Sequence, residues 1–281
     1  MIPDHQTNTV YYSDSTRLEF PNEISDLINL IEKHGNSCRE LNKAKDYYCR
    51  DFMPVQVSSD DFVQFVFRPV AYIKGDELKH VTNPIQVQLI TPGLTKPRYS
   101  PLILDGGNII KWEDKVIITD RVLKDNRYQF SSDNAIITQL ENDLNCKIII
   151  IPEYPEEETG HADGLIRFID NDTVFINETD GESQKEWLSQ FLRILSENNL
   201  LHISLPCPMN VNQKTANGLY LNYLHVGNLI LVPQFGLKED NKALEVFEDV
   251  FRNGYTIKPF KAKWIAKFGG VLNCATWTIK K

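Results

Sequence analysis

The chain has 281 residues, 42% of them hydrophobic, and a formal net charge of −8. That apolar content suffices for a substantial core in one large domain or two. The acidic balance excludes the concentrated basic face that a nucleic acid or an anionic membrane would require.

The N-terminus, Met1-Ile2-Pro3-Asp4-His5, has neither the basic start nor the apolar run of a secretory leader, and no later run is long enough to span a bilayer. The expectation is a cytoplasmic protein with no membrane or nucleic-acid partner. A homo-oligomer is compatible with the sequence. The five cysteines, Cys38, Cys49, Cys146, Cys207 and Cys274, are odd in number and lack C-x-x-C spacing. They indicate free thiols, one of which could be reactive, and neither a disulfide framework nor a zinc site.

In chain order, residues 10–12 read as a strand and residues 23–31 as a helix. A hairpin of two apolar strands about a polar turn then returns several times. Its first copy occupies residues 53–57 and 62–67, turning at 58–61. The second follows Asp105-Gly106-Gly107-Asn108, with strands at 109–112 and 116–118. A capped amphipathic helix is predicted from Ser131-Ser132-Asp133 onward, and a strand at 147–152. The third hairpin follows Gly160-His161-Ala162-Asp163, with strands at 165–169 and 174–176; a helix from Ser183 to Leu192 and a strand at 202–206 come next. The fourth follows Leu221-Asn222, with strands at 223–226 and 229–232 about Gly227-Asn228, and then a helix over 237–247. The last begins at Cys274 and is cut short after one strand, 275–279.

A ββαβ unit returning about every 55 residues has the logic of a propeller, in which equivalent positions converge on one axis. The residue at the mouth of each first strand is polar: Asp51, Asp105, His161 with Asp163, Asn222 and Cys274. Any one of them is an ordinary strand-boundary residue. Five at the same phase predict a common cleft. A histidine near carboxylates, with a distant cysteine, is the raw material for nucleophilic catalysis. The acidic run from Glu153 to Glu158 reads as a solvated loop or a lid beside His161, while the four tryptophans, His202 and His225 read as packing residues.

These segments resemble the guanidino-group modifying superfamily, in the branch of agmatine deiminases and bacterial peptidylarginine deiminases. Arg50-Asp51-Phe52-Met53-Pro54 is similar to W-x-R-D-x-x-P, with Tyr48 and Cys49 in place of the usual residues before the arginine. Asp105-Gly106-Gly107-Asn108 is similar to [DE]-G-G-N, Gly160 to Asp163 to G-H-x-D, and Gly269 to Cys274 to G-G-x-x-H-C. Val232-Pro233-Gln234-Phe235-Gly236 matches a further stretch. Asn273 stands where the branch has His, and Asp105 where agmatine deiminases have Glu.

The resemblance implies an α/β fold, a five-bladed pseudosymmetric propeller, with residues 1–281 as one domain. It implies Cys274 as nucleophile, His161 as general acid and base, and Asp105 as the residue that orients His161. Asp51 and Asp163 would grip the guanidinium, and Asn222 and Arg50 are counted with the substrate-binding residues. The implied reaction is hydrolysis of a small guanidino substrate, such as agmatine, to a ureido product and ammonia through a thiouronium intermediate. No cofactor or metal is called for. An amidinotransferase would share that intermediate, and an idle guanidine-binding protein would share the fold.

Overall fold

Residues 1–69, 78–155, 157–179, 184–208 and 215–281 are described by the computed structural model. Among them, five three-stranded sheets carry the fold. The first blade comprises Val55–Gln56, Phe62–Val66 and Arg98–Ile103, and the second Ile110–Lys111, Lys115–Thr119 and Lys147–Ile151. The third comprises Ile166–Phe168, Thr173–Asn177 and Leu201–Leu205, and the fourth Leu224–Val226, Leu229–Gln234 and Thr256–Lys261. In each, a tight turn makes the first two strands antiparallel, and a helical crossover makes the third parallel to the second.

The repeat that the sequence leaves cut short is completed from the other end of the chain. Thr276–Ile279 pairs antiparallel with Thr9–Ser13, which pairs parallel with Ser37–Leu41 across the helices Asp14–Glu19 and Pro21–Lys33. This fifth blade closes a five-bladed α/β propeller by the hydrogen bonds of its own sheet. A sequence reading in chain order misses the partner because the two strands lie at opposite ends of the chain.

Amphipathic spacing explains the crossovers. Helix Asp133–Leu144 starts where Ser132 caps it, its Oγ accepting from the Ala135 amide at 3.2 Å, and ends at Asn145 in the left-handed conformation. Its Ile136, Leu140 and Leu144 pack with Val116 and Ile118 of the second blade and with Val63, Phe65 and Leu102 of the first. In the same way Phe191 and Leu195, from helix Lys185–Glu197, join Val174 and Ile176 of the third blade to Ile117 and Ile149 of the second. The helices therefore cement neighbouring blades, and near-continuous apolar strands such as Lys-Ile-Ile-Ile-Ile at Lys147–Ile151 fit between two covered faces. Ser183, the expected start of the third crossover helix, lies outside the described residues.

The tryptophans pack as expected. Trp187 stacks on Phe191 at 5.0 Å, Trp264 lies 4.7 Å from Phe20, and the buried Trp277 donates its indole N–H to the Pro54 carbonyl at 2.8 Å. Among the described residues no helix is long and apolar enough to cross a membrane.

Candidate active site

Each blade's innermost strand is entered through one short helical turn: Cys49–Phe52, Gly106–Asn108, Ala162–Gly164, Tyr220–Asn222 and Leu272–Ala275. These turns pack against one another around the axis, which brings together side chains more than 200 residues apart in sequence. Two clusters form there.

The first surrounds Cys274. Its Sγ lies 3.3 Å from Asp163 Oδ2 and accepts from Asn222 Nδ2 at 3.1 Å. Asn222, fully buried, also donates to Asp163 Oδ2 at 3.0 Å, while its Oδ1 accepts from the amides of Val271 at 3.1 Å and Cys274 at 3.2 Å. One asparagine thus ties the cysteine turn to the carboxylate. Burial pushes the thiol well above the ordinary cysteine value, Asp163 and Asp51 push it further, and the Asn222 hydrogen bond opposes them.

The second surrounds His161. Its Nε2 lies 3.3 Å from Asp105 Oδ2 and its Nδ1 3.7 Å from Asp51 Oδ1, which also accepts from the Gly107 amide at 2.9 Å. Burial alone would lower the imidazole, but Asp51, the hydrogen bond to Asp105 and the nearby Asp163 outweigh it and raise it to about 10. Burial pushes Asp51 up, His161 opposes, and Asp105 and Asp163 add to the rise. With three carboxylates around one ring, the proton belongs on the imidazole. Asp105 Oδ1 is buried with no hydrogen-bond partner among the described residues.

The double glycine is dictated by crowding. A Cβ on Gly107 would lie 2.6 Å from both Asp51 Oδ1 and His161 Nδ1, and one on Gly106 would lie 2.1 Å from the Arg50 carbonyl oxygen. Only a backbone without side chains lets the second turn pass between Asp51 and His161. Asn108 then spans two segments, its Oδ1 accepting from the amides of Thr119 at 2.9 Å and Ala162 at 3.2 Å.

Of the sequence-derived candidates, Asp51, Asp105, His161, Asp163, Asn222 and Cys274 meet at the axis. Arg50 does not join them. Its guanidinium turns beneath the cleft, with Nε donating to the Asn273 carbonyl at 2.9 Å and one Nη to Thr278 Oγ1 at 3.4 Å. Adjacent residues on one helical turn point in different directions, so Asp51 and Arg50 cannot both face the cleft. Asn273 has a place that sequence reasoning missed: its Nδ2 donates to Asp163 Oδ2 at 2.7 Å. Tyr48, noted only as a motif departure, accepts from the Gly270 amide at 2.9 Å and so pins the loop before Cys274. Proximity to the candidate nucleophile was the available signal for Asn273, and none marked Tyr48's contact.

The acidic run beside His161 is a structured edge. Glu153 pairs with Lys124 at 2.8 Å and Arg121 at 3.2 Å, and Glu157 accepts from Thr159 Oγ1 at 2.7 Å. Glu156 lies outside the described residues. Among the described residues no group of His, Cys, Asp and Glu is arranged to hold a metal ion.

Comparison with known proteins agrees with this architecture. The chain is 25% identical to a putative agmatine deiminase of Marinomonas sp. (strain MWYL1) over 210 residues, 63% of this chain and 57% of the relative. It is 27% identical to a putative agmatine deiminase of Pectobacterium atrosepticum over 213 residues, 64% of this chain and again 57% of the relative. The matched part therefore spans less than two thirds of these curated relatives. The fold is similar to that of C. jejuni agmatine deiminase, with a TM-score of 0.77 at 18% identity, covering 100% of this chain and 95% of that one. It is also similar to DDAH from Pseudomonas aeruginosa, with a TM-score of 0.59 at 12% identity and coverage of 98% and 100%. The family model for Porphyromonas-type peptidyl-arginine deiminases matches residues 4–279, and the chain belongs to that family.

Proposed function

We propose that this chain is a deiminase that hydrolyses a small guanidino compound, agmatine foremost, to a ureido product and ammonia, and that residues 1–281 act as one catalytic domain. The observation that carries this reading is the convergence on one axis of a buried thiol, 3.3 Å from a carboxylate, with an imidazole held between two further carboxylates. Three carboxylates against one imidazole leave room for one more cation. A planar guanidinium supplies that charge with N–H groups suited to two-point pairing with Asp51 and Asp163. The names of the curated relatives and of the C. jejuni structure favour agmatine.

The resting thiol is protonated, because burial and two carboxylates disfavour the thiolate. A docked guanidinium cancels those carboxylate charges, so Cys274 releases its proton to solvent as substrate arrives, and its thiolate sulfur attacks the guanidinium carbon. His161, protonated at rest, delivers its proton to the departing nitrogen. Ammonia leaves and an S-alkylthiouronium remains on Cys274. The now neutral His161 takes a proton from water, the resulting hydroxide attacks the same carbon, and the C–S bond breaks as the adduct's O–H proton passes to the leaving sulfur. The ureido product departs and His161 is again protonated. Asn222 and Asn273 keep Asp163 and the sulfur in register throughout.

A panel of agmatine, free arginine, small guanidino acids and arginine peptides, read for ammonia and ureido product, tests the reading. Agmatine is expected to give both products in equal amounts, and a haloacetamidine should label Cys274 alone. Recovery of the amidino group on an added amine would replace hydrolysis by amidino transfer. Guanidine binding with neither turnover nor labelling would leave an idle binding protein.

A further inference from the structure

Directly below the cleft, the same axis holds a second layer of buried charge that the proposed chemistry leaves unused. Lys111, Arg167, His225 and Thr278 come from the innermost strands of four blades, and Asp4 reaches in from the N-terminal segment. Lys111, Arg167, His225 and Asp4 line a cavity of about 20 Å³ together with Arg50 and Asn273. Three cationic side chains meet there, and Asp4 is the one carboxylate in the lining.

Asp4 is shared. Its Oδ2 accepts from Arg167 at 2.8 Å, and its Oδ1 lies 3.6 Å from Lys111 Nζ. Arg167 is otherwise satisfied by the carbonyls of Tyr223 at 3.2 Å and Leu221 at 3.5 Å, with its guanidinium 4.5 Å from the Tyr223 ring centre. Lys111 and Arg50 are not. Among the described residues Lys111 Nζ faces only the distant Asp4 oxygen, and one Nη of Arg50 has no protein acceptor. The next carboxylate upward, Asp163, has its Oδ2 engaged by Asn222, Asn273 and Cys274. His225, its Nε2 against the Gly227 carbonyl at 3.1 Å, is pushed down to about 4 by burial and stays neutral. Burial likewise pulls Lys111 down to about 8 against the attraction of Asp4.

Buried cations with unused donors call for an acceptor, and a like-charge cluster calls for that acceptor to be negative. Water meets the first need only. The cavity volume admits one water-sized particle and no polyatomic anion. We propose that this axial cavity binds a single monatomic anion of the halide class, held by Lys111 and Arg50 and facing Arg167 across Asp4. The site would neutralise the excess positive charge of the lower layer and help hold the N-terminal segment in the ring.

Thermal unfolding in chloride, bromide and sulfate at matched ionic strength, together with anomalous diffraction from crystals grown in bromide, tests this. Chloride and bromide should raise Tm saturably by roughly 2–4 °C over the sulfate series, and bromide should give one anomalous peak beside Lys111 and Arg50. Lys111→Met should abolish the halide increment while leaving agmatine turnover in place. A halide increment of the same size in Lys111→Met would overturn the proposal. So would a wild-type map without a peak in the cavity, a result that does not require any variant to fold. A peak without a saturable rise in Tm would mean an adventitious ion only, and the proposal would fall.

Discussion

The two layers of the propeller axis are built from neighbouring residues and carry opposite charge. In the upper layer Asp51, Asp105 and Asp163 surround one histidine and one cysteine. A few residues further along the chain, Lys111 and Arg167 join Arg50 around a single carboxylate, Asp4. The difference lies in how the charges are answered. Asp4 has a close arginine at 2.8 Å, and although burial alone would raise it, Lys111 and Arg167 hold it well below the usual carboxylate range. Asp51 has the neutral Gly107 amide at 2.9 Å and an imidazole at 3.7 Å, and burial pushes it up. A closely paired carboxylate such as Asp4 braces the ring, whereas an underpaired carboxylate such as Asp51 is left to be completed by a ligand. Buried charge is therefore compatible with both roles, and partner count separates them.

The largest break in this contrast should come from the upper layer. Asp163→Asn removes a carboxylate that is to face the substrate cation, and is expected to lower kcat/KM by about 3 kcal/mol, somewhat over 100-fold, with Tm nearly unchanged. Near-normal steady-state kinetics would place Asp163 outside the guanidinium site. The lower layer should respond in the opposite sense. Arg167→Met is expected to cost about 2 kcal/mol of stability in urea melts, because it strips the close partner from Asp4. The figure sits below the range for fully buried pairs because the Asp4 side chain is 17% exposed and can be partly rehydrated. Loss of activity without loss of stability would reverse the assignment of the two layers.

A smaller effect separates the layers by pH. His161 is raised in the folded state to about 10 from an ordinary 6.5, so its contribution is complete below pH 6.5 and is lost as pH rises toward 10. Asp51, also raised, acts with the same sign. Lys111 has its folded value lowered to about 8, which gives the opposite slope above that pH. Stability should therefore fall between pH 6.5 and 8 in denaturant melts, and the double variant Asp51→Asn, His161→Gln should lose that fall. A wild-type curve that rises across this window would contradict the reading of a protonated imidazole in the upper layer. At the acid end the lower layer dominates, since the stabilisation from Asp4 is present above its unfolded pKa and is lost as pH falls below about 4.

Much of this was legible in the chain. The apolar hairpins, the amphipathic crossovers and the polar residue at the mouth of each first strand follow from local periodicity, which is why Asp51, Asp105, His161, Asp163, Asn222 and Cys274 could be singled out. Closure of the fifth blade could not be read, because Thr9–Ser13 and Thr276–Ile279, which pair in it, lie at opposite ends of the chain. Direction within a turn was equally hidden. Arg50 and Asp51 are adjacent in one motif, yet one points below the cleft and the other into it.

The amino-acid sequence by itself determined the repeat, the family and the residue types that meet at the axis, since these rest on residue type and on spacing along the chain. Tertiary structure alone decided which charges find partners. Asn273 clamps Asp163, Gly107 yields its space to Asp51 and His161, and Asp4 crosses more than 160 residues of sequence to meet Arg167. Such pairings depend on distance and burial in the closed ring, which no local pattern encodes, because the energy of a buried charge is set by the few ångströms around it.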